Sequence, residues 1–189
     1  MIFALALRLL LGGSSVLLFL LGGGSGAPLP LSELLSLCRA LGQLSLRDFS
    51  DPAQAVSNGQ TVYRAHALRG VRGELADGFP SVFSIALPTL ERYLHVGYSI
   101  NDAAALTLLA LIAQTDDTNM IHRGGLALAW QCKAEAAVLE KRSPDEILAA
   151  LPALDAAYQA QRLSPGGCAD LLSLSLAVHF ALADGLLAA

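Results

Sequence analysis

Thr115-Asp116-Asp117-Thr118-Asn119-Met120-Ile121-His122-Arg123-Gly124-Gly125 separates two apolar runs, Leu106–Ile112 and Leu126–Trp130. Only 15% of the chain is charged, so this density of polar groups demands a physical reason. The apolar runs are rich in Leu and Ala, which favour helix, and poor in the β-branched residues that favour strands. The stretch therefore reads as a polar junction between two buried helices. The next helix is expected to begin at Leu126 and run to about Lys141.

Composition extends the same reading outward. The 189 residues are 54% hydrophobic, with a mean hydropathy of +0.53. That length gives one domain with a sizeable core. The expected fold is all-α: a single compact multi-helix domain over residues 1–189, with core helices apolar around much of their circumference. A net charge of −4 argues against a nucleic-acid partner, which calls for a basic face. The three cysteines, Cys38, Cys132 and Cys168, have no paired or zinc-like spacing, which fits a reducing compartment.

The apolar start, Met1–Leu21, followed by Gly22–Ala27, has the outline of an export signal. The basic leader of such a signal is missing, and Arg8 falls inside the apolar run. The expected reading is a core helix and a glycine-rich turn. Further along, Ser32 is read as the cap of a helix near Glu33–Leu41, and Ser45–Gly59 as a surface loop. A helix ends near Arg69. Another starts at Phe79-Pro80-Ser81, and Pro88 should kink or restart it. Ser99 or Asn101 caps a helix that ends at Gln114. Ser143-Pro144-Asp145-Glu146 carries a capping box with proline at the first helical position. Pro152 is expected to interrupt the helix it opens. Leu163–Asp170 opens a last apolar helix.

Polar residues concentrate at three helix ends: Arg69–Gly78, Asp116–Gly125 and Ser164–Asp170. Each combines closely spaced glycines with charge. Helix N-termini present unpaired N–H groups to anions, and arginine pairs bidentately with phosphate. Asp116, Asp117 and Asn119 offer hard oxygen ligands of the kind Mg2+ takes alongside phosphate. Acids at the C-terminus of a helix oppose its dipole, which also favours a bound cation here. Alone, any of these residues has an ordinary structural reading: His122 as a structural histidine, Cys168 as a small buried side chain. No P-loop and no Ser-His-Asp order is present.

Arg69-Gly-Val-Arg-Gly-Glu74, Gly78-Phe-Pro80, Ala86-Leu-Pro88, Asp117-Thr-Asn119, Arg123-Gly-Gly125 and Leu163-Ser-Pro-Gly-Gly167-x-Ala-Asp170-Leu-Leu172 follow one another in the order and approximate spacing of a known family. In this the chain resembles the triphosphoribosyl-dephospho-CoA synthases. The resemblance implies an all-helical, cytoplasmic enzyme that uses ATP and 3′-dephospho-CoA, releases adenine, and binds no membrane. Its product, 2′-(5″-triphosphoribosyl)-3′-dephospho-CoA, is the prosthetic-group precursor for the acyl carrier subunit of citrate lyase or malonate decarboxylase. A downstream prosthetic-group transferase system takes it on.

On this expectation Asp116, Asp117 and Asn119 hold Mg2+ with the triphosphate. Arg69, Arg72, Arg123, Gly124, Gly125, Gly166 and Gly167 bind the nucleotides. Glu74 or Asp170 is the catalytic carboxylate, with no ranking between them. The family's Asn-Thr-His-Lys-Gly and Pro-Lys-Pro-Gly segments do not precede Ile2, so the chain reads as the C-terminal major part of such an enzyme, lacking its N-terminal segment. The other readings are an inactive truncated fragment, or an exported or membrane-anchored helical binding protein.

Overall fold

The computed structural model describes residues 28–47 and 57–188. The expected N-terminal core helix and most of the Ser45–Gly59 loop lie outside the described residues. Eight α-helices fill the rest: α1 (Leu31–Arg47), α2 (Asn58–His66), α3 (Gly70–Asp77), α4 (Leu87–His95), α5 (Ile100–Gln114), α6 (Thr118–Leu139), α7 (Pro144–Ala160) and α8 (Gly166–Ala183). The all-α expectation holds. A minimal parallel pair, β1 (Leu29–Pro30) with β2 (Leu187–Ala188), joins the start of the described chain to its end.

Helix α5 is the centre of the fold. Ala103, Leu106, Thr107 and every residue from Leu109 to Ala113 are buried, so it is apolar on nearly all sides, as a fully enclosed helix must be. Around it pack α4, α6, α7 and α8. Helix α8 is long and apolar enough to cross a bilayer by length and composition. In the fold its Leu171, Leu174, Ser175, Val178 and Ala181 are buried. At the edge, α1 lies on α3 so closely that a Cβ at Gly42 would stand 2.4 Å from the Ala76 backbone.

Local details correct several sequence expectations. Ser57 caps α2 with a reciprocal bond to Gln60, so helix begins inside the segment read as loop. The glycine-spaced stretch after Arg69 is itself a helix, α3, ended by Gly78 in the left-handed conformation. Pro88 restarts a helix: Val82–Ala86 forms a π turn, closed by the Leu87 N–H donating to Val82 O. The proline ring would collide with the carbonyl four residues back in an α-turn, and the wider turn relieves this. Pro152 does not interrupt α7, which runs through it. The ring sits on the solvent side, where the helix tolerates one missing bond. The Ser143 capping box and the Ser99 cap form as expected.

Candidate active site

Asp117 organises the site. Chain leaving α5 becomes extended at Thr115, and Asp117 then caps the N-terminus of α6. Its Oδ1 accepts hydrogen bonds from the backbone N–H groups of Asn119 (2.8 Å) and Met120 (3.0 Å). Its Oδ2 accepts one from the Cys168 N–H at 2.8 Å, in the first turn of α8. One carboxylate, 7% exposed, thus satisfies orphan donors of two helices at once. The sequence placed Asp117 at the end of α5, where the dipole disfavours an acid. It stands instead at the start of α6, where the dipole favours one. Its position therefore needs no cation to explain it.

The glycines make this junction possible. A Cβ on Gly166 would come within 2.1 Å of Asn119 Nδ2, and one on Gly167 within 3.2 Å of Asp117 Oδ2. Gly70, at φ +56°, would put a Cβ 2.6 Å from Thr118 Oγ1. The N-termini of α3, α6 and α8 converge through these contacts. The side-chain space at Gly166 and Gly167 is already occupied by Asn119 and Asp117. Gly124 likewise serves packing, against Leu163 and Leu128. Gly125 (φ 80°, ψ 166°) breaks α6 into two limbs. The second limb, from Leu126, is the helix expected from the sequence.

A cleft of about 340 Å³ opens at the convergence. Its charged walls are Arg69, Glu74, Asp77, Asp116 and Asp117. Arg69 pairs with Asp77 at the rim. Glu74 turns both oxygens to Ser81, accepting from its N–H at 3.0 Å and its hydroxyl at 2.6 Å. Asp116 is held by Lys133 Nζ at 2.8 Å, reaching over from the second limb of α6. Burial, with Asp117 next in importance, drives the Cys168 thiol far above its usual range, so it is no nucleophile at neutral pH. Burial, and then Asp117, also raises the Asp170 carboxyl.

Of the expected site residues, the fold brings Arg69, Glu74, Asp116, Asp117 and Gly167 to one cleft. Arg72, Asn119, Gly124, Gly125, Gly166 and Asp170 do not line it. Neither does Arg123, whose guanidinium donates to the Arg162 carbonyl at 3.5 Å. Sequence reasoning missed Asp77, Ser81, Gln114, Thr115 and Lys133. Of these, Asp77 and Thr115 fall in stretches already marked as polar; Ser81, Gln114 and Lys133 carried no signal for the site. Among the described residues no three His, Cys, Asp or Glu side chains are grouped to cage a metal. Mg2+ does not require a cage. It keeps its waters and takes one or two carboxylates plus phosphate oxygens. Asp117 has given three of its roughly four lone-pair sites to N–H donors. Asp116, at the cleft wall, is the freer ligand.

Residues 34–186 match the family described as ATP:dephospho-CoA triphosphoribosyl transferase, a span that contains all three polar junctions. The chain belongs to this transferase family. It is 32% identical over 161 residues to a probable 2-(5''-triphosphoribosyl)-3'-dephosphocoenzyme-A synthase of Malonomonas rubra, covering 79% of this chain and 50% of that one. It is 38% identical over 154 residues to the probable synthase of Pectobacterium carotovorum, covering 78% of this chain and 48% of the relative. The synthase of Pectobacterium atrosepticum is also 38% identical over 154 residues. The chain spans about half the length of these curated relatives. No solved structure matches it.

Proposed function

We propose that this chain carries the ATP-handling part of a triphosphoribosyl-dephospho-CoA synthase, joining ATP to 3′-dephospho-CoA with release of adenine. The observation that carries the reading is the Asp117 junction: three helix N-termini and a carboxylate pair meet at one cleft, inside the family-matched region. Four acids against one arginine line that cleft. Such walls repel a bare polyphosphate and suit one delivered with a divalent cation. In this reading Asp116 and Asp117 hold Mg2+, which when bound neutralises phosphate charge. Asn119, turned towards Gly166, is dropped from the ligand set.

Arg69 faces the phosphates from the rim and exchanges Asp77 for them. Glu74 lines the cleft and Asp170 does not, which favours Glu74 as the carboxylate near the sugar. In the reaction the bond from ribose C1 to adenine breaks, and a bond from C1 to a ribose hydroxyl oxygen of dephospho-CoA forms. The sugar passes through a cation-like state, as in glycoside hydrolysis. Glu74 takes the hydroxyl proton, adenine leaves as the neutral base with a proton taken from water, and Glu74 returns its proton to solvent, so protons and charge balance. Ser81 orients Glu74 for this through two hydrogen bonds. The product would serve the acyl carrier of citrate lyase or malonate decarboxylase through a prosthetic-group transferase, in the cytoplasm where both substrates are made.

The test is to incubate the chain with ATP, dephospho-CoA and Mg2+, and to follow free adenine by chromatography and the product by mass. Adenine release that needs both substrates supports the reading. Binding of neither nucleotide overturns it.

A further inference from the structure

The chain has a single tryptophan, Trp130, and it is 53% exposed. An indole left half in water forfeits much of the burial that normally fixes this side chain. Its position is specific. Trp130 lies one turn before Lys133 on the second limb of α6, so both side chains share a face. The two line a narrow crevice together with Thr115, Asp116 and Asp117. Those last three residues also line the cleft described above. The Thr115–Asp117 connection is thus a ridge with the polar cleft on one flank and Trp130 with Lys133 on the other. The Lys133–Asp116 ion pair of 2.8 Å ties the platform to the ridge.

A flat π face, a cation beside it and an adjoining phosphate-sized polar cleft match the parts of a purine nucleotide. We infer that Trp130 is a stacking platform for the adenine ring of a nucleotide whose phosphate chain lies in the cleft, with Lys133 beside it. This rests on the function proposed above and adds a base-recognition residue to it. Stacking on an aromatic side chain accepts any base, and is strongest for the larger purines. Both adenine nucleotides of the proposed reaction could supply the ring, and the experiment separates them.

Because Trp130 is the sole tryptophan, intrinsic fluorescence reports on this one position. The wild-type chain is titrated with ATP, with dephospho-CoA, and with inorganic tripolyphosphate as a base-free probe. Saturable quenching by one of the adenine nucleotides, and none by tripolyphosphate, is expected. The nucleotide that quenches identifies the ring. Calorimetry on Trp130→Ala should then show affinity for that nucleotide weakened roughly tenfold, with tripolyphosphate affinity unchanged. Trp130→Phe, which keeps an aromatic face, should stay within about threefold of wild type. Calorimetric binding of both nucleotides without quenching, or wild-type affinity in Trp130→Ala, overturns the platform and leaves the proposed function standing. Binding of neither nucleotide to the wild-type chain overturns both.

Discussion

The carboxylate of Asp117 receives the backbone N–H of Cys168 at 2.8 Å, across 51 residues of sequence. This bond, with the two from Asn119 and Met120, makes one side chain the common cap of α6 and α8. Asp117→Ala leaves three donors unsatisfied, two of them buried. We expect it to lose about 2–4 kcal/mol of stability in urea unfolding. A loss under ~0.5 kcal/mol would show that the junction does not hold the helices. Activity measured on this variant reports folding as well as chemistry.

Asp116 separates the two roles, because it caps nothing. Its partner is Lys133, and both side chains are about one-third exposed. Asp116→Asn should leave the melting temperature nearly unchanged, since exposed ion pairs contribute about 0–1 kcal/mol. If it holds Mg2+, the Mg2+ concentration for half-maximal adenine release rises roughly tenfold. An unchanged Mg2+ dependence would count against Asp116 as a ligand.

Gly42 and Ala76 define how closely α1 can lie on α3. A methyl group at Gly42 would meet the Ala76 N and Cα at 2.4 Å, and backbone cannot move aside as a flexible side chain can. Gly42→Ala should therefore cost about 1–3 kcal/mol, despite the better helix propensity of alanine. A stabilised variant in thermal melting would contradict the close approach.

Pro152 lies in the exposed face of a continuous α7. It supplies no N–H to the carbonyl of Leu148. Pro152→Ala restores that bond and relieves the ring. An increase in stability of about 1 kcal/mol or more is expected, read as a raised melting temperature.

Asp170 gives the pH signature. Burial, then Asp117, raises its carboxyl above the ordinary 3.8. The folded state therefore holds this proton more tightly than the unfolded chain does. The resulting stability is fully present below the unfolded value, and is lost as pH rises through the folded one. Asp170→Asn should match wild type at low pH and become the more stable of the two as pH climbs to neutral. Denaturant midpoints at several pH values test this. A constant difference across the range would exclude it.

The sequence by itself determined the helical class, the Ser143 capping box and the neighbourhood of the candidate site. Leu- and Ala-rich runs carry helix propensity locally, and caps are written within four residues, as at Ser143 and Glu146. Arg69, Glu74, Asp116 and Asp117 were legible as polar residues where an apolar pattern breaks. The Asp117 cap was not read from the sequence, where Gly124-Gly125 set the helix start at Leu126. Only tertiary structure decided the rest. Gly125 turns the second limb of α6 back, so that Lys133 meets Asp116 from 17 residues away. The close approach of α8 fills the space at Gly166 and Gly167, which turns apparent ligand glycines into packing glycines. The same approach gives Asp117 its third hydrogen bond. These facts depend on where distant helices stop and how near their backbones come, and local pattern holds no record of either.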